Sequence, residues 1–449
     1  MRSKSLTEGS IFKALVAFSF PMIITNTVNL LFHAADVAVL AIFVDGPAVA
    51  AVGACGSLIT LMVALFTGFA TGANVLIAKR IGSGDPDGAR RAIGTSLSIG
   101  LLSGIFLMIV ALIFAQDFLV LMNCQPDVLD MATLYLRIYF MGAPILMLKN
   151  FAIAILRSTG DSVRPMIYSF IAGGTNILAN IFFVLVFNMT VEGVALATVL
   201  SAALSLTLSM IRILRSGKVC KIEMRDLGIG KAELFEIVRI GVPTCLCSLF
   251  FYAANVILSS AVNSMSTDAM TANAISSQFD GVIYTVGTAI ASATSVMVAQ
   301  NIGARQIERV KATIRVSIAY VSAVSIALGV IFVVFADLLL GFLSDSSTVI
   351  EIAKDRMTLL CLTYFVTSIM EVLAFSLRAL KRQKSTMVVG GICGFGIRSL
   401  WRWFIWPLYT TLSMLYACYT VSAAIAILIY LFVYRGALKS YTAEAAESA

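Results

Sequence analysis

Residues 29–41 read NLLFHAADVAVLA and place a single carboxylate, Asp36, inside a long apolar run. Between Lys13 and Asp45, no other residue carries a formal charge when histidine is neutral. A run of this length exceeds the ~20 residues that a helix needs to cross a bilayer. Asp36 lies nine residues before Asp45, which is roughly 13 Å at the ~1.5 Å rise per residue of a helix. The stretch therefore predicts a membrane-spanning helix with an internal carboxylate.

A carboxylate at this depth costs on the order of 2.5–3.5 kcal/mol on insertion scales, so such a group usually binds a ligand, moves a proton or pairs with a partner. Asp36 is therefore the first candidate for a functional site, and the alternative is a polar residue satisfied by a neighbouring helix. His33 is the only histidine of the chain and lies one helical turn earlier. It either hydrogen-bonds Asp36 or shares its proton, and the alternative is that it stays neutral and packs between helices.

The composition indicates a helical membrane protein with many spans. Hydrophobic residues make up 59% of the 449 residues and charged residues only 12%, against ~25% charged in soluble domains. The net charge of +8 is not spread evenly, because 26 of the 32 Lys and Arg residues fall in the terminal segments or at alternate loop ends. This is the positive-inside pattern. It predicts that both termini are cytoplasmic, that the lipid bilayer is the main partner and that no nucleic acid is bound.

Apolar runs between turn signals predict an all-α polytopic fold with twelve transmembrane helices. The predicted spans are 14–43, 48–79, 89–115, 128–157, 165–188, 191–215, 236–263, 269–302, 308–336, 348–380, 386–409 and 411–435. The longest polar connection divides them into two halves. We predict an N-lobe over 1–215, a cytoplasmic linker over 216–233, a C-lobe over 234–440 and a disordered tail over 441–449.

The second half repeats the first at an offset of 221 residues. The matching pairs are Ala78/Ala299, Ile81/Ile302, Gly82/Gly303, Leu156/Leu377, Arg157/Arg378, Met166/Met387, Ile171/Ile392 and Gly173/Gly394, with Pro21 and Pro243 one residue out of register. Six spans per half give both halves the same orientation, so we expect a pseudo-twofold axis along the membrane normal and a cavity between the lobes. This symmetry suits a transporter whose lobes rock. The alternative is a repeat kept only for packing.

Several motifs, in order along both halves, resemble the multidrug and toxic compound extrusion (MATE) family, and most closely its DinF-like branch. They are LTEGSIFKALVAFSFP (6–21), FHAAD (32–36), IAKRIGSGD (77–85), LRSTGDSVRP (156–165), NILAN (176–180), EGVALAT (192–198), VAQNIGARQ (298–306) and LRALKRQKST (377–386). The resemblance covers roughly Leu6–Arg435. It implies a secondary transporter of small molecules, with an ion-coupling site in the N-lobe.

The resemblance also implies the residues of that site. Asp36 matches the family's first-span Asp, Asn176 its span-five Asn and Thr198 its span-six Thr, while Asn180 stands where the family has a second Asp. Asn cannot take up a proton or balance the charge of a cation, so a Na⁺ site of the family kind is weakened while one protonatable carboxylate remains. His33 occupies the position of the motif's Asn, and a glutamate that other members carry on span seven is replaced by Cys247.

Other polar residues lie at membrane depth and are candidates for a substrate cavity. Asp280 is twelve residues into span eight after Asp268, and Glu371 on span ten matches Asn150 in the repeat. Arg398, with Arg402 one turn later, is able to neutralise either carboxylate, and buried charges usually survive by pairing. Asp280 and Glu371 therefore either act in transport or form structural ion pairs.

These observations predict a secondary antiporter that exports organic cations or amphiphilic drugs in exchange for H⁺ or Na⁺, by rocking alternating access in a bacterial inner membrane. The alternative is a flippase for a lipid-linked precursor or polysaccharide unit. The chain carries no GxxxxGK[ST] loop and no HExxH motif, so we expect neither an ATP-driven pump nor an enzyme. We expect no cofactor, no bound metal and a monomer, because one chain supplies both lobes.

Overall fold

The computed structural model describes residues 6–44, 46–122, 124–215 and 228–447, except for the side chains of residues 33, 34, 37 and 442–447. Within these ranges every regular element is a helix. Most of the predicted linker, residues 216–227, lies outside the described residues.

Among the described residues, seven α-helices precede the linker and eight follow it. The first seven are α1 (Ile11–Phe43), α2 (Gly46–Gly82), α3 (Pro86–Leu121), α4 (Pro126–Met141), α5 (Ala143–Ser158), α6 (Val163–Phe187) and α7 (Val191–Leu214). The others are α8 (Lys231–Asn263), α9 (Thr267–Gly303), α10 (Ile307–Val334), α11 (Ala336–Gly341), α12 (Ser347–Ala379), α13 (Gln383–Val389), α14 (Arg398–Leu400) and α15 (Leu412–Glu447).

Ten of the described helices are long and apolar enough to cross a membrane, and the bent pair α4 and α5 makes an eleventh span. A twelfth helical stretch from Gln383 to Leu408 alternates α, π and 3₁₀ turns. The predicted all-α class with many membrane spans is therefore confirmed. The last helix runs to Glu447 instead of giving way to a disordered tail at Tyr441, because the segment AEAAE is made of strong helix formers.

The helix boundaries follow from local chemistry. Asp85 caps the start of α3, where its side chain accepts a 2.8 Å hydrogen bond from the backbone N–H of Gly88. Pro86 occupies the first turn of α3, where its missing N–H costs nothing. Gly142 separates α4 from α5, whose axes differ by 50°. These signals are visible in the sequence, which explains why the predicted span ends lie close to the observed ones.

Two compact units make up the molecule, and they do not coincide with the two halves of the sequence. One unit is built from Ile24–Cys245, and the other from Ser5–Ile23 together with Leu246–Ala449. The divisions within α1 and α8 each follow a helix-internal proline, Pro21 or Pro243, by two residues. The lobe boundaries predicted from chain order therefore differ from the observed units, because a single long helix can pack its two ends into different cores.

Each unit has its own apolar core. In the unit of residues 24–245, hereafter the N-unit, Leu40, Leu136 and Phe140 are fully buried together. In the other unit, hereafter the C-unit, the fully buried core residues include Leu340, Met357 and Leu415. These cores hold the helices that carry the polar side chains described next.

Candidate ion-coupling site

The N-unit brings together four of the residues predicted as an ion-coupling site. Asp36 on α1 accepts a 2.6 Å hydrogen bond at Oδ1 from Asn180 Nδ2. The same Nδ2 lies 3.4 Å from Asn176 Oδ1, and Asn176 Nδ2 donates to Thr198 Oγ1 over 3.5 Å. A polar chain thus runs from α1 across α6 to α7.

Local helix geometry explains why this chain forms. Asn176 and Asn180 lie one turn apart on α6, so they share one face of the helix. Thr198 donates its own hydroxyl proton to the carbonyl of Val194 over 3.0 Å, which leaves the lone pairs of Oγ1 free for Asn176. Asp36, Asn176 and Asn180 are all buried. The network is therefore shielded from bulk solvent except where it meets a cavity.

That cavity has a volume of about 270 Å³ and lies within the N-unit. Asp36, Asn176, Thr198 and Asn150 line it, and Asp36 is its one carboxylate among the lining residues. Lys149 also lines it, although the sequence analysis did not select this residue for the site. The signal was present, because Lys149 is one of the few basic residues at membrane depth and adjoins Asn150. The cavity is consequently lined by one acidic and one basic side chain.

His33 lies in α1, three residues before Asp36, but its side chain falls outside the described residues. The predicted hydrogen bond between His33 and Asp36 therefore stays a prediction.

The C-unit gives its buried aspartate a different environment. Asp280 on α9 accepts a 2.9 Å bond from Arg356 Nη1 and faces Arg356 Nη2 at 3.5 Å. The same Nη1 donates to Ser276 Oγ over 3.0 Å, and the guanidinium lies 4.3 Å from the centre of the Tyr416 ring. Asp280 is thus neutralised by a hydrogen-bonded arginine.

This pairing differs from the predicted one, in which Arg398 or Arg402 was the partner. Arg356 was not among the predicted site residues, yet it is only 2% exposed. Helical spacing was the overlooked signal, since Arg356, Leu360 and Tyr364 are four residues apart and line one cavity of about 340 Å³ with Asp280.

Glu371 and Arg398 lie elsewhere, in a smaller C-unit cavity of about 70 Å³. Arg402 stacks on two tryptophan rings, Trp403 and Trp406, at 5.2 and 4.5 Å. The four residues predicted to share a substrate cavity are therefore distributed over three cavities: Asn150 in the N-unit, Asp280 in the larger C-unit cavity, and Glu371 with Arg398 in the smaller one.

The chain thus combines two helical units with a buried, hydrogen-bonded carboxylate beside a cavity. An ionisable residue at membrane depth is typical of the transport sites of membrane proteins. The sequence model of the MatE family matches residues 21–182 and 243–401, so each match begins at one of the two helix-internal prolines. These matches together cover more than half of the chain. The chain belongs to the MatE family, whose members are transporters, and the resemblance seen in the sequence is confirmed.

Individual relatives agree with this assignment. The chain is 23% identical over 380 residues to the "Probable multidrug resistance protein YoeA" of Bacillus subtilis, covering 83% of this chain and 82% of that protein. It is 23% identical over 251 residues to the "Multidrug export protein MepA" of Staphylococcus aureus, with 56% of each chain covered. A crystal structure of MATE in the bent conformation superposes with a TM-score of 0.91 at 21% identity, covering 99% of both chains. The fold is that of the MATE transporters.

Proposed function

We propose that this chain is a multidrug exporter driven by an inward flow of protons, in which Asp36 is the coupling group. The observation that carries the proposal is the buried Asp36 carboxylate, which accepts a hydrogen bond from Asn180 and borders a cavity of about 270 Å³. The names of the relatives from Bacillus subtilis and Staphylococcus aureus support drug export as the activity.

We assign different roles to the two carboxylate oxygens of Asp36. Oδ1 accepts the N–H of Asn180 and is held in place by it. Oδ2 is then the atom that takes and releases the proton at the cavity. An apolar environment penalises a bare carboxylate, so Asp36 holds its proton until water or substrate reaches the cavity. Protonation then shifts the population between two conformations that bind the proton differently.

We favour H⁺ over Na⁺ as the coupling ion. A Na⁺ ion needs several oxygen ligands and a balancing charge, whereas Asn180 directs its NH₂ group towards Asp36. Asp36 is also the one carboxylate among the residues that line the cavity. A single carboxylate with an amide donor suits the storage of one proton.

The substrate class follows from the charges of the cavity. Because Lys149 and Asp36 line the same cavity, a strict preference for cations is not expected, and we propose amphiphilic molecules that carry apolar and polar groups. The positive-inside pattern supports an inner-membrane location with cytoplasmic termini. A monomer whose two halves rock during transport is part of the same proposal.

The decisive experiment measures ethidium efflux into energised inverted vesicles, with a pH gradient and a Na⁺ gradient imposed separately. We expect efflux in wild type under the pH gradient alone, and its loss in Asp36→Asn. Asn180 can still donate to the new side-chain oxygen, so this variant should fold and bind ethidium.

Asp127→Asn is the matched control, because Asp127 is an exposed acid of α4 in the same unit, and its efflux should equal that of wild type. Normal efflux by Asp36→Asn would refute the assigned role. Efflux driven only by the Na⁺ gradient would show that the coupling ion is Na⁺ and not H⁺. Absence of efflux under both gradients would favour the flippase alternative.

A further inference from the structure

The smaller C-unit cavity, which the coupling proposal does not use, contains two buried arginines. Arg378 on α12 and Arg398 on α14 both line it, and they are 7% and 2% exposed. Arg378 Nε and Arg398 Nη1 are buried without a hydrogen-bond partner, and within the described residues neither guanidinium has a carboxylate within 4.0 Å. Leaving charged N–H groups buried and unsatisfied is costly.

One carboxylate, Glu371, faces the same cavity, and it makes no hydrogen bond among the described residues. Asp280, the buried aspartate of this unit, is already paired with Arg356. Two guanidinium groups and one carboxylate leave a single positive charge uncompensated. A buried charge without a counter-ion is strongly unfavourable, so the cavity lacks one negative charge.

The wall of the cavity is shaped to expose these donors. Gly390–Ile397 forms a π-helix, and Gly390, Cys393 and Gly394 from this segment line the cavity beside Arg398. Single π turns inside α-helices frequently mark functional sites. Gly390 and Gly394 contribute no side chains to the cavity, and a Cβ on Gly394 would meet nothing within 4 Å.

Each arginine has other contacts, among them the thiol of Cys247, which lines the same cavity and interacts with Arg378. Each arginine still keeps one buried N–H group without a partner. Arg398 donates from Nε to Ser422 Oγ over 3.3 Å and stacks on Tyr419 at 3.9 Å, which fixes the plane of the guanidinium. Arg378 stacks on the ring of Phe375 at 4.6 Å. Both groups are therefore positioned before any ligand arrives, and guanidinium groups are strong hydrogen-bond donors to anions.

We propose that this cavity binds one small monovalent anion, a halide or a carboxylate of the size of formate, between Arg378 and Arg398. The volume of about 70 Å³ holds such an ion, since a cavity needs only about 10–15 Å³ to hold one water molecule. An amphiphilic drug does not fit there. The site is thus separate from the cavity beside Asp36.

The test is ³⁵Cl NMR line broadening on the purified full-length protein, with chloride replaced by gluconate at constant Na⁺. We expect saturable broadening in wild type and binding weakened by about tenfold or more in Arg398→Gln. Glu371→Gln should tighten chloride binding by about tenfold, because it removes the one negative charge that faces the ion. Arg402→Gln is the control, since Arg402 stacks on tryptophans away from this cavity, and it should bind as wild type does.

Displacement of chloride by formate would assign the site to carboxylates as well as halides, and resistance to formate would assign it to halides. The proposal fails if wild type shows no saturable broadening, in which case the cavity holds water alone. It also fails if Arg398→Gln binds as wild type does, or if Glu371→Gln binds no tighter. Loss of binding in Arg398→Gln could also result from misfolding, but misfolding cannot produce tighter binding. Glu371→Gln therefore tests the anion site independently of the arginine variant.

Discussion

The two units use the same repeat to build different interiors. In the N-unit a cavity of about 270 Å³ borders Asp36, whereas in the C-unit cavities of about 340 and 70 Å³ border Asp280 and Glu371 respectively. At the offset of 221, Thr198 corresponds to Tyr419 and Ile177 to Arg398. Tyr419 and Arg398 stack on each other. Larger side chains therefore stand at these two positions of the C-unit, where Tyr419 lines the larger cavity and Arg398 the smaller one.

The carboxylates of the two units illustrate the consequence. Asp36 accepts one hydrogen bond from a neutral amide, whereas Asp280 accepts two from a guanidinium. A neutral donor leaves the aspartate able to take a proton, whereas a bound arginine favours the ionised carboxylate and makes removal of the aspartate costly. The same residue type thus serves a proposed proton carrier in one unit and an ion pair in the other.

The two units also differ in the regularity of one pair of equivalent helices. α6 is α-helical throughout and carries Asn176 and Asn180 on one face. Its repeat counterpart, Gln383–Leu408, contains two π segments, Gly390–Ile397 and Trp401–Ile405. The glycine-rich sequence GGICGFG makes regular α-helix less favourable there. The regular α-helix α6 thus carries the amide pair, whereas its counterpart with π turns carries Arg398.

The largest effect should come from breaking the buried ion pair. Asp280→Asn leaves Arg356 charged and buried, which should cost about 3–5 kcal/mol of unfolding free energy. Asp36→Asn should cost less than about 1 kcal/mol, because the hydrogen bond from Asn180 survives. SDS-induced unfolding in mixed micelles measures both values.

The double variant Asp280→Leu/Arg356→Met serves as the control, because it removes both charges and should recover most of the loss. Equal losses for Asp280→Asn and Asp36→Asn would contradict the contrast between the two aspartates.

An intermediate effect is expected at the glycines that match in the repeat. A Cβ on Gly173 would lie 1.6 Å from the Phe32 ring, which borders the N-unit cavity, whereas a Cβ on Gly394 meets nothing within 4 Å. Gly173→Ala should therefore displace Phe32, cost about 1–3 kcal/mol and lower ethidium efflux. Gly394→Ala should leave both properties unchanged, and a comparable loss there would show that backbone flexibility matters more than the ring contact.

The smallest effect concerns the hydroxyl groups at the equivalent positions 198 and 419. Thr198→Val removes the acceptor of a long 3.5 Å bond from Asn176, and Tyr419→Phe removes the hydroxyl that donates to Asn255. Each variant should lose about 0.5–1.5 kcal/mol, the net value of one hydrogen bond. The same unfolding assay tests this, and a loss above that range for Thr198→Val would show that the polar chain acts as a cooperative network.

Much of the fold was readable from the sequence because hydropathy and repeats are local or periodic signals. Asp36 within its apolar run, the amide pair on α6 and the offset of 221 all depend on residues whose spacing is fixed along a helix. The structure brings Asp36, Asn176, Asn180 and Thr198 together, although their role in coupling stays a prediction.

By itself, the sequence determined that this protein is a membrane-spanning helical bundle built from a repeat. Only the tertiary structure decided that Asp280 pairs with Arg356, 76 residues away, and that α1 and α8 divide between units just after their prolines. It also decided which nitrogen atoms of the buried arginines lack a hydrogen-bond partner. The physical reason is that helix formation depends on neighbours along the chain, whereas the partner of a buried charge depends on which helices pack together.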